Sequence, residues 1–391
     1  MDLLRLLARP PALPDTLLPC VDDLIAVERP DVPMHCLRPA AIIGAAADFV
    51  AGFPGEVLYA VKCNPDPAVL RAVWDGGVRH FDCASAPEVA LVRGLFPDAV
   101  LHFMHPVKSR PALRAAWAGG VRDSVLDCAG ELAKIVQETP DEERGLLVRL
   151  ALPRGRAAYD LSGKFGAPVE EAAALLRAAR PHAARLGISF HVGSQCLDPL
   201  AWREAMALAG AAIRAARVPV DIIDVGGGFP VAYPGSVPPP LGDYFAAIAA
   251  AFAALGLPEA TRLWAEPGRA LVAGGVSVVA QVLLRRGDAL FINDGIYGSL
   301  SDAGAPGFRF PARLARPAGP APSAGLRDFT VFGPTCDAVD RLRVAVPLPE
   351  DTAEGDWIEI GQLGAYGACL RTGFNGFDAI RSVAVRDPPM L

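Results

Sequence analysis

Short apolar runs alternate eight times with Ala- and Leu-rich stretches of helical periodicity between about residue 38 and residue 270. The apolar runs are strand candidates, and they end at Lys62, Ser85, Pro106, Cys128, Leu150, Ser194, Gly226 and Glu266. Helix candidates between them cover residues 66–75, 86–95, 109–118, 129–138, 170–180, 201–217 and 241–255. Parallel neighbours in a sheet need a long crossover, which a helix supplies, so this repetition predicts a closed (β/α)8 barrel of the TIM type. We therefore predict an α/β fold and assign residues 35–270 to the barrel.

Helical periodicity weakens after about residue 270, where strand-like runs separated by turns follow. These runs cover residues 272–284, 289–292, 329–332, 341–346 and 357–360. Strands without intervening helices favour a sheet domain, so we predict a second, mostly β, sandwich-like or barrel-like domain. We assign residues 1–34 and 271–391 to it. Two stretches, 153–167 and 230–240, exceed the usual connection length and are candidates for lids or binding loops.

The composition excludes several classes of function. The chain has 391 residues, a formal net charge of -6 and no long basic run, which disfavours nucleic acid as a partner. Prolines interrupt the apolar start, and no apolar run is long enough to span a membrane, so we predict neither a signal peptide nor an anchor. Eight cysteines without a C-x-x-C spacing indicate reduced thiols and no metal site, as expected for a cytoplasmic protein.

Lys62 follows the apolar run Leu58-Tyr59-Ala60-Val61, and Asn64-Pro65 ends that run. A lysine at the carboxyl end of a buried parallel strand must leave water or be neutralised, and desolvation lowers its pKa. A desolvated amine of this kind can form a Schiff base with a carbonyl. The alternative is a strand-end lysine whose ammonium reaches solvent.

Two further motifs follow predicted barrel strands. Asp224-Val225 leads into Gly226-Gly227-Gly228, whose backbone N–H groups can approach a phosphate, although an ordinary tight turn uses the same glycines. The stretch 189–194 contains His191, which could present a flat face to an aromatic ligand, and Ser194, which could donate to a phosphate. The alternative for His191 is a buried histidine whose hydrogen bonds are all made within the protein.

Glu266 ends the eighth strand candidate, in the sequence Glu266-Pro267-Gly268-Arg269. A buried glutamate needs a cationic or hydrogen-bonding partner, and Arg269 could neutralise it. The more specific interpretation assigns Glu266 to a protonated heterocyclic nitrogen and Arg269 to a phosphate.

The second domain contributes two further motifs. Cys336 and Asp337 follow a Gly-Pro turn, which suits an exposed reactive thiol, although a small buried apolar cysteine is the alternative. Tyr366 lies in a Gly-rich turn that suits a phosphate hydrogen bond. Together the motifs supply a Schiff-base amine, a phosphate cradle, a stacking imidazole and a carboxylate for a ring nitrogen. That set matches pyridoxal 5′-phosphate.

The ordered motifs resemble the ornithine/diaminopimelate decarboxylase family, whose fold is shared with alanine racemase, and the resemblance is strongest to ornithine decarboxylase. It runs from about residue 33 to residue 377, and the segments that carry it are 59–64, 81–85, 189–194, 224–230, 266–269, 293–299, 333–337 and 372–377. The resemblance implies a pyridoxal 5′-phosphate-dependent amino-acid decarboxylase, a carboxy-lyase. Lys62 would hold the cofactor, and Asp82, Glu88 and Arg149 would tune its surroundings. The implied phosphate ligands are Ser194, Gly227, Gly228, Arg269 and Tyr366.

The resemblance also assigns the reaction chemistry. His191 would stack on the pyridine ring, and Glu266 would keep the ring nitrogen protonated, which favours loss of carbon dioxide. Racemases of the same fold place an arginine at that position. Cys336 would be the acid that protonates the α-carbon. Cys336 and Asp337 would reach the partner subunit's site in a head-to-tail homodimer, and Lys164 would lie on a lid.

Substrate specificity is where the sequence departs from the family. Relatives carry an acidic residue after Tyr-Gly-Ser that holds the distal amine of the substrate; counted from Tyr297, that position falls near residues 305–306, which are Ala and Pro. Asp302 lies a few residues early, and with Asp337 it could still face a distal ammonium, whereas Arg309 would suit an acidic or neutral end. We predict a basic substrate, ornithine or lysine, giving a diamine such as putrescine for polyamine biosynthesis.

Three alternatives to this prediction stay open. A decarboxylase of a non-basic amino acid and an amino-acid racemase would both use the same cofactor. The third, a non-catalytic regulatory homologue, is disfavoured because the chain keeps the residues that such homologues lose. These are Lys62, His191, Glu266, Arg269, Cys336 and Asp337.

Overall fold

The computed structural model describes residues 18–140, 142–153, 155, 157–158 and 163–391. The predicted loop 153–167 and the N-terminal part of the second domain therefore lie partly outside the described residues. The chain divides into two compact units. The barrel unit comprises Ile43–Val231 and Pro238–Leu271, and the sheet unit comprises the described part of Met1–Ile42, with Ala232–Val237 and Val272–Leu391. The domain boundaries predicted from the sequence stay a prediction.

Sixteen strands occur in the described part of the chain. They are β1 (Met34–Leu37), β2 (Glu56–Ala60), β3 (His80–Cys83), β4 (Val100–Phe103), β5 (Asp123–Leu126), β6 (Gly145–Arg149), β7 (Arg185–Ser189), β8 (Ile222–Asp224), β9 (Arg262–Ala265), β10 (Val276–Arg286), β11 (Ala289–Ile292), β12 (Ala312–Ala315), β13 (Leu326–Phe332), β14 (Val346–Pro349), β15 (Trp357–Ile360) and β16 (Arg381–Ala384). The α-helices of the same ranges are α1 (Val21–Glu28), α2 (Pro39–Gly52), α3 (Pro67–Asp75), α4 (Ala86–Leu95), α5 (Arg110–Ala118), α6 (Ala129–Glu138), α7 (Val169–Ala179), α8 (Leu200–Ala216), α9 (Leu241–Ala253) and α10 (Arg269–Val272). Short 3₁₀ turns cover Val61–Cys63, Arg180–His182, Ala273–Gly275, Ser301–Ala303 and Phe374–Gly376.

Strands β2 to β9 close into a parallel barrel, in which each strand pairs with the next and β9 pairs with β2. The predicted (β/α)8 barrel is therefore confirmed, and α3 to α9 overlap the seven helix candidates. The largest difference at a strand end is at β7, which ends at Ser189 and not at Ser194. Phe190 and Val192 stay buried beyond the strand, so the apolar pattern continues while Gly193, with φ +101°, bends the chain.

Local capping signals set the starts of the helices that follow the first barrel strands. Side-chain oxygens of Asp66, Ser85 and Ser109 accept hydrogen bonds from backbone N–H groups in the first turns of α3, α4 and α5. Each of these helices also has a proline in its first two positions, where no intrahelical N–H donor is needed. The chain therefore turns sharply after β2, β3 and β4, which leaves the ends of these strands available for a site.

Each unit has its own apolar core. The barrel core is a cluster of buried side chains from several strands and their following loops: Leu58, Met104, Val125, Leu147, Ile222 and Trp264. The sheet unit buries a second cluster, which contains Val21, Leu24, Ile25, Met34, Cys36, Val279, Ala315, Trp357 and Val385. Burial of each large apolar side chain contributes about 1.5–3 kcal/mol, so the two cores stabilise their units separately.

The sheet unit is built on the strand order β12-β15-β10-β11-β13-β14, with β1 beside β10 and β16 beside β1. The second, mostly β domain is thus confirmed, but the strand predicted at 341–346 is wrong. There the backbone N–H of Arg343 donates to Ala303 O, and the strand that pairs with β13 is the later Val346–Pro349. Sequence alternation over 341–346 is strand-like, but tertiary pairing overrides it.

No helix in the described ranges is long and apolar enough to cross a lipid bilayer. The predicted cytoplasmic location stays a prediction.

Candidate active site

Lys62 lies in the 3₁₀ turn Val61–Cys63 that directly follows β2. Its Nζ donates to Asp82 Oδ2 over 2.6 Å, and Asp82 lies on β3 in register with Ala60, two residues before the lysine. The lysine side chain is 43% exposed, whereas Asp82 is 1% exposed. Asp82 Oδ1 is buried and has no hydrogen-bond partner among the residues that the structure describes. The pair thus holds an amine in reach of a ligand and leaves one buried carboxylate oxygen to be satisfied.

Glu88 and Arg149 are predicted to tune this amine, and that role stays a prediction. Glu88 Oε2 accepts from Ala84 N over 2.6 Å, and Ser85 Oγ accepts from Glu88 N over 3.3 Å, so this carboxylate ties the end of β3 to the start of α4. Burial raises the pKa of Glu88. Arg149 is the last residue of β6 and lies in register with Ser189 of β7. The positive charge of Arg149 lowers the pKa of His191.

His191 is held in one tautomer by its own loop. Gly193 N donates to His191 Nδ1 over 3.0 Å, so Nδ1 is an acceptor and the ring proton is on Nε2. Burial holds the pKa of His191 well below 6.5, and the charges of Arg149 and Lys62 lower it further. A neutral, fixed imidazole results, which is suited to stacking on a flat ring.

The Gly226-Gly227-Gly228 turn follows β8, and it is closely packed. A Cβ at position 226 would lie 2.1 Å from Phe190 O, and one at position 228 would lie 2.3 Å from Gly193 O. A Cβ at position 227 would lie 2.5 Å from Glu266 O and 3.2 Å from His191 Nε2. The glycines therefore let the backbone approach the loops after β7 and β9, and side chains would fill that space.

Phe229 anchors the same turn from the other side. It is 1% exposed, and its ring lies 4.9 Å from Trp202 and 5.0 Å from Phe49. Aromatic pairs at these distances add about 0.5–1.5 kcal/mol beyond their burial. The glycine turn is thus flexible by residue type and fixed by its aromatic neighbour.

Two predicted phosphate ligands lie side by side. Arg269 Nη2 donates to Ser194 Oγ over 3.4 Å, and Arg269 is only 6% exposed. Cys196 N donates to Gly228 O over 2.9 Å, which joins the loop after Ser194 to the glycine turn. A guanidinium, a hydroxyl and a glycine backbone brought together in this way suit the oxygens of a phosphate.

Glu266 follows β9, and its backbone N–H donates to Gly226 O over 2.9 Å. The side chain is 4% exposed, and Oε1 has no hydrogen-bond partner in the described ranges. Burial raises the pKa of Glu266 well above its usual range, and the carboxylates of Asp224 and Asp82 raise it further. A buried carboxyl oxygen in need of a partner is what a protonated pyridine nitrogen would satisfy.

Asp224 is a second buried carboxyl at this site, and it was not predicted as a site residue from the sequence. It is 0% exposed, ends β8, and accepts from Gly226 N through Oδ1 over 2.9 Å. Burial raises its pKa as well. The available signal was a carboxylate at the last position of an apolar strand, immediately before the glycines.

These residues of the barrel unit fit pyridoxal 5′-phosphate. The cradle that a Cβ would fill suits the phosphate, the neutral His191 ring suits the pyridine face, and the Glu266 oxygen suits the ring nitrogen. Lys62 supplies the amine. Each position lies at or just after the carboxyl end of a barrel strand, the face on which such barrels carry their sites.

The remaining predicted residues belong to the sheet unit. Tyr297 Oη donates to Asp337 Oδ2 over 2.5 Å, a bond that lowers the pKa of Asp337 and raises that of Tyr297. Cys336 is exposed, and its backbone N–H donates to Asn375 Oδ1 over 3.1 Å. Tyr366 has φ +63°, a left-handed conformation uncommon for a tyrosine.

Asp302 lies in the 3₁₀ turn Ser301–Ala303 and is half-buried, and Phe308 N donates to its backbone O over 2.9 Å. Arg309 is exposed. Arg343 spans the same turn, because its Nη1 donates to Ala305 O over 2.9 Å. The segment that lacks the expected acid is therefore a compact turn, and the side chain of Arg343 is hydrogen-bonded to it.

Two family models match the chain. One, described as "Pyridoxal-dependent decarboxylase, pyridoxal binding domain", covers residues 40–273, and the other, "Pyridoxal-dependent decarboxylase, C-terminal sheet domain", covers residues 190–364. The chain is 34% identical over 344 residues to lysine/ornithine decarboxylase of Selenomonas ruminantium, covering 85% of this chain and 84% of that protein. It is 33% identical over 350 residues to decarboxylase flvG of Aspergillus flavus, covering 83% and 78%.

A solved structure extends the similarity to three dimensions. Arginine decarboxylase of Paramecium bursaria Chlorella virus, bound to agmatine, superposes with a TM-score of 0.81 at 29% identity. The match covers 93% of this chain and 98% of that one. Both predicted parts of the fold therefore occur together in a relative of nearly the same extent.

Proposed function

The chain belongs to the pyridoxal-dependent decarboxylase family, and from this membership we propose that it decarboxylates a basic amino acid, ornithine first and lysine second, to a diamine such as putrescine. That it is a pyridoxal 5′-phosphate-dependent amino-acid decarboxylase follows from the family. When bound, the cofactor supplies an electron sink for the electron pair that the departing carbon dioxide leaves on the α-carbon.

We propose that Lys62 Nζ is the attachment point of the cofactor, because it follows β2 and contacts Asp82 over 2.6 Å. Asp82 keeps the nitrogen at that position charged. His191, held neutral, orients the ring by contact with its face. Glu266 holds a proton at the ring nitrogen, and its raised pKa suits a carboxyl that shares a proton with a base.

We propose that Ser194, Gly227, Gly228 and Arg269 bind the phosphate. The closely packed glycine turn and the neighbouring Ser194 and Arg269 support this assignment. The phosphate role of Tyr366 stays a prediction from the family resemblance.

We propose further that Cys336 and Asp337 act in the site of a second copy of the chain, in a head-to-tail dimer. Cys336 is exposed, and both residues line a cavity of about 330 Å³ with Leu283, Phe291 and Phe332. Cys336 would deliver its thiol proton to the α-carbon after carbon dioxide leaves. An exposed thiol beside a carboxylate, on a cavity lined by both apolar and polar side chains, supports a composite site.

One observation carries the basic-substrate proposal. Tyr297 Oη donates to Asp337 Oδ2 over 2.5 Å, which orients a half-buried carboxylate that can pair with a distal ammonium. The relatives compared above include enzymes named for lysine, ornithine and arginine, which agrees with this choice. Asp302 is proposed as the second acid at the substrate's distal end.

A different observation favours a second candidate, a decarboxylase of an acidic or neutral amino acid. Arg343 donates to Ala305 O, at the turn where relatives carry the acid, and Arg309 follows it. A distal ammonium left unpaired in a closed site costs several kcal/mol, so cations at this turn would oppose a basic substrate.

The purified holoenzyme should be incubated with ornithine, lysine, arginine and glutamate, with the released amines identified by chromatography and mass spectrometry. The proposal predicts that the wild type releases putrescine from ornithine or cadaverine from lysine. In Asp302→Asn the KM for that amino acid should rise about tenfold or more, while cofactor binding stays unchanged. Asp328→Asn, which changes an exposed carboxylate of β13, is the matched control. Release of an amine from glutamate alone would reject the basic substrate and support the second candidate.

A further inference from the structure

Two loops of the sheet unit carry the residues proposed for the partner's site. One is the loop 294–299, which contains Tyr297, and the other is the loop 333–337, which contains Cys336 and Asp337. The hydrogen bond from Tyr297 Oη to Asp337 Oδ2 is a side-chain contact between the two loops. Asp340, which follows the second loop, is 2% exposed although it carries a carboxylate.

The buried carboxylate of Asp340 binds both loops. Its Oδ1 accepts from Ile296 N over 2.9 Å. Its Oδ2 accepts from Thr335 N over 3.1 Å and from Thr335 Oγ1 over 2.7 Å. The backbone O of Asp340 also accepts from Gly333 N over 2.9 Å. Ile296 immediately precedes Tyr297, and Thr335 immediately precedes Cys336, so these hydrogen bonds act one residue away from the proposed functional groups.

Two glycines leave the space that this carboxylate occupies. A Cβ at position 295 would lie 2.3 Å from Asp340 Oδ1, and a Cβ at position 333 would lie 2.2 Å from the same atom. Each distance is far shorter than a normal contact, so each loop needs a glycine where it meets Asp340. Gly295 and Gly333 belong to two separate sequence motifs, but both positions need glycine for the same reason, the close approach of the Asp340 carboxylate.

We propose that Asp340 is a positioning residue: its carboxylate clamps the loop 294–299 to the loop 333–337 and so fixes Cys336 and Asp337 relative to Tyr297. The proposal rests on the proposed function, in which Cys336 and Asp337 are the groups that act on substrate. A proton donor must be held close to its target, and a misplacement of about 1 Å can lower the rate about a hundredfold.

The first loop, 294–299, also has hydrogen bonds that do not involve Asp340. Asp294 Oδ1 accepts from Gly295 N and Ser299 N, both over 2.9 Å, and Arg371 Nη1 donates to Ser299 Oγ over 2.7 Å. These bonds hold the loop 294–299 together. The Asp340 carboxylate then joins that rigid loop to its neighbour.

The test uses Asp340→Asn and the milder Thr335→Val, with Asp328→Asn as the matched control. Asparagine keeps the shape of the side chain but turns an amide N–H toward backbone donors, so one of the two loop contacts is lost. Thr335→Val removes the Oγ1 donor alone. Each holoenzyme is compared for thermal unfolding, cofactor binding, kcat, KM, and the rate at which iodoacetamide alkylates Cys336, measured by peptide mass spectrometry. Exposed Cys128 of the barrel unit is the internal standard.

If Asp340 positions the two loops, Asp340→Asn should change the alkylation rate of Cys336 about fivefold or more relative to that of Cys128. The same variant should lower kcat about ten- to a hundredfold and still bind the cofactor. Thr335→Val should change both in the same direction by less. Unchanged Cys336 reactivity and unchanged kcat in folded Asp340→Asn would overturn the proposal. If Asp340→Asn does not fold, the Thr335→Val result decides in the same way. A wild type without activity on any basic amino acid rejects the proposed function, while the alkylation rates still test the clamp.

Discussion

Replacing Gly228 by alanine is expected to destabilise the apoprotein and weaken cofactor binding, because the glycine turn has no room for a side chain. Gly228 has φ +102°, a conformation that costs an L-residue about 1–3 kcal/mol. Its Cβ would also lie 2.3 Å from Gly193 O and 3.0 Å from Val192 Cγ2. Relieving that overlap displaces backbone and adds about 1–3 kcal/mol, so we expect a total loss of about 2–6 kcal/mol.

Two matched variants separate the contributions. Gly235 has φ +79° with nothing within 4 Å of the added Cβ, so Gly235→Ala measures conformational strain without overlap. Gly44 lies inside α2 with nothing within 4 Å, so Gly44→Ala should stabilise the protein by about 0.5–1 kcal/mol. Comparing the three therefore isolates the overlap at Gly228.

Urea unfolding of the three apoproteins gives the free energies of unfolding, and cofactor absorbance gives the dissociation constant of pyridoxal 5′-phosphate. Gly228→Ala should lose at least about 1 kcal/mol more than Gly235→Ala, and it alone of the three should bind cofactor more weakly. Equal losses in Gly228→Ala and Gly235→Ala, with equal cofactor affinity, would refute the packing argument.

Three further predictions follow from the same structure. Borohydride reduction of the holoenzyme should fix the cofactor to the Lys62 peptide in a peptide map; label on another lysine would contradict the site. Mixing inactive Lys62→Ala with inactive Cys336→Ala should restore partial activity if sites are shared between subunits, and no recovery despite demonstrated subunit exchange would count against the dimer. Burial lowers the pKa of His35 to about 3 in the folded state. Below about pH 6.5, His35 is therefore protonated in the unfolded state but still neutral in the folded state, which favours unfolding. The free energy of unfolding should therefore fall as pH drops from about 6.5 toward 3, and this group contributes up to about 1.4 kcal/mol per pH unit. In urea titrations, His35→Gln should make the free energy of unfolding depend less steeply on pH. An unchanged pH dependence would reject the assignment to His35.

Much of the architecture could be predicted because it is encoded in local patterns. The barrel strands are short apolar runs, and the first three of the helices that follow them begin at the capping residues Asp66, Ser85 and Ser109. Repetition of such a unit favours a closed parallel barrel, and that barrel brings the ends of its strands to one face. The positions of Lys62, Gly226 and Glu266 near those ends follow from the same pattern.

The wrong strand at 341–346 shows the limit of local pattern. Leu342, Val344 and Val346 alternate with other residues as a half-buried strand would, yet the backbone of Arg343 bonds Ala303 instead of a neighbouring strand. Which partner a strand-like run finds is decided by segments distant in the chain. Alternation alone carries no information about that choice.

The amino-acid sequence by itself determined the kinds of groups available: an amine, an imidazole, a carboxyl and a glycine turn. The tertiary structure alone decided their states. Gly193 N fixes the tautomer of His191, and burial raises the pKa of Glu266. Asp340, without a recognisable motif of its own, lies between two loops because Gly295 and Gly333 leave space for its carboxylate. Proton positions, desolvation and steric fit depend on atoms that distant residues bring within a few ångströms, so they exist only after the chain has folded.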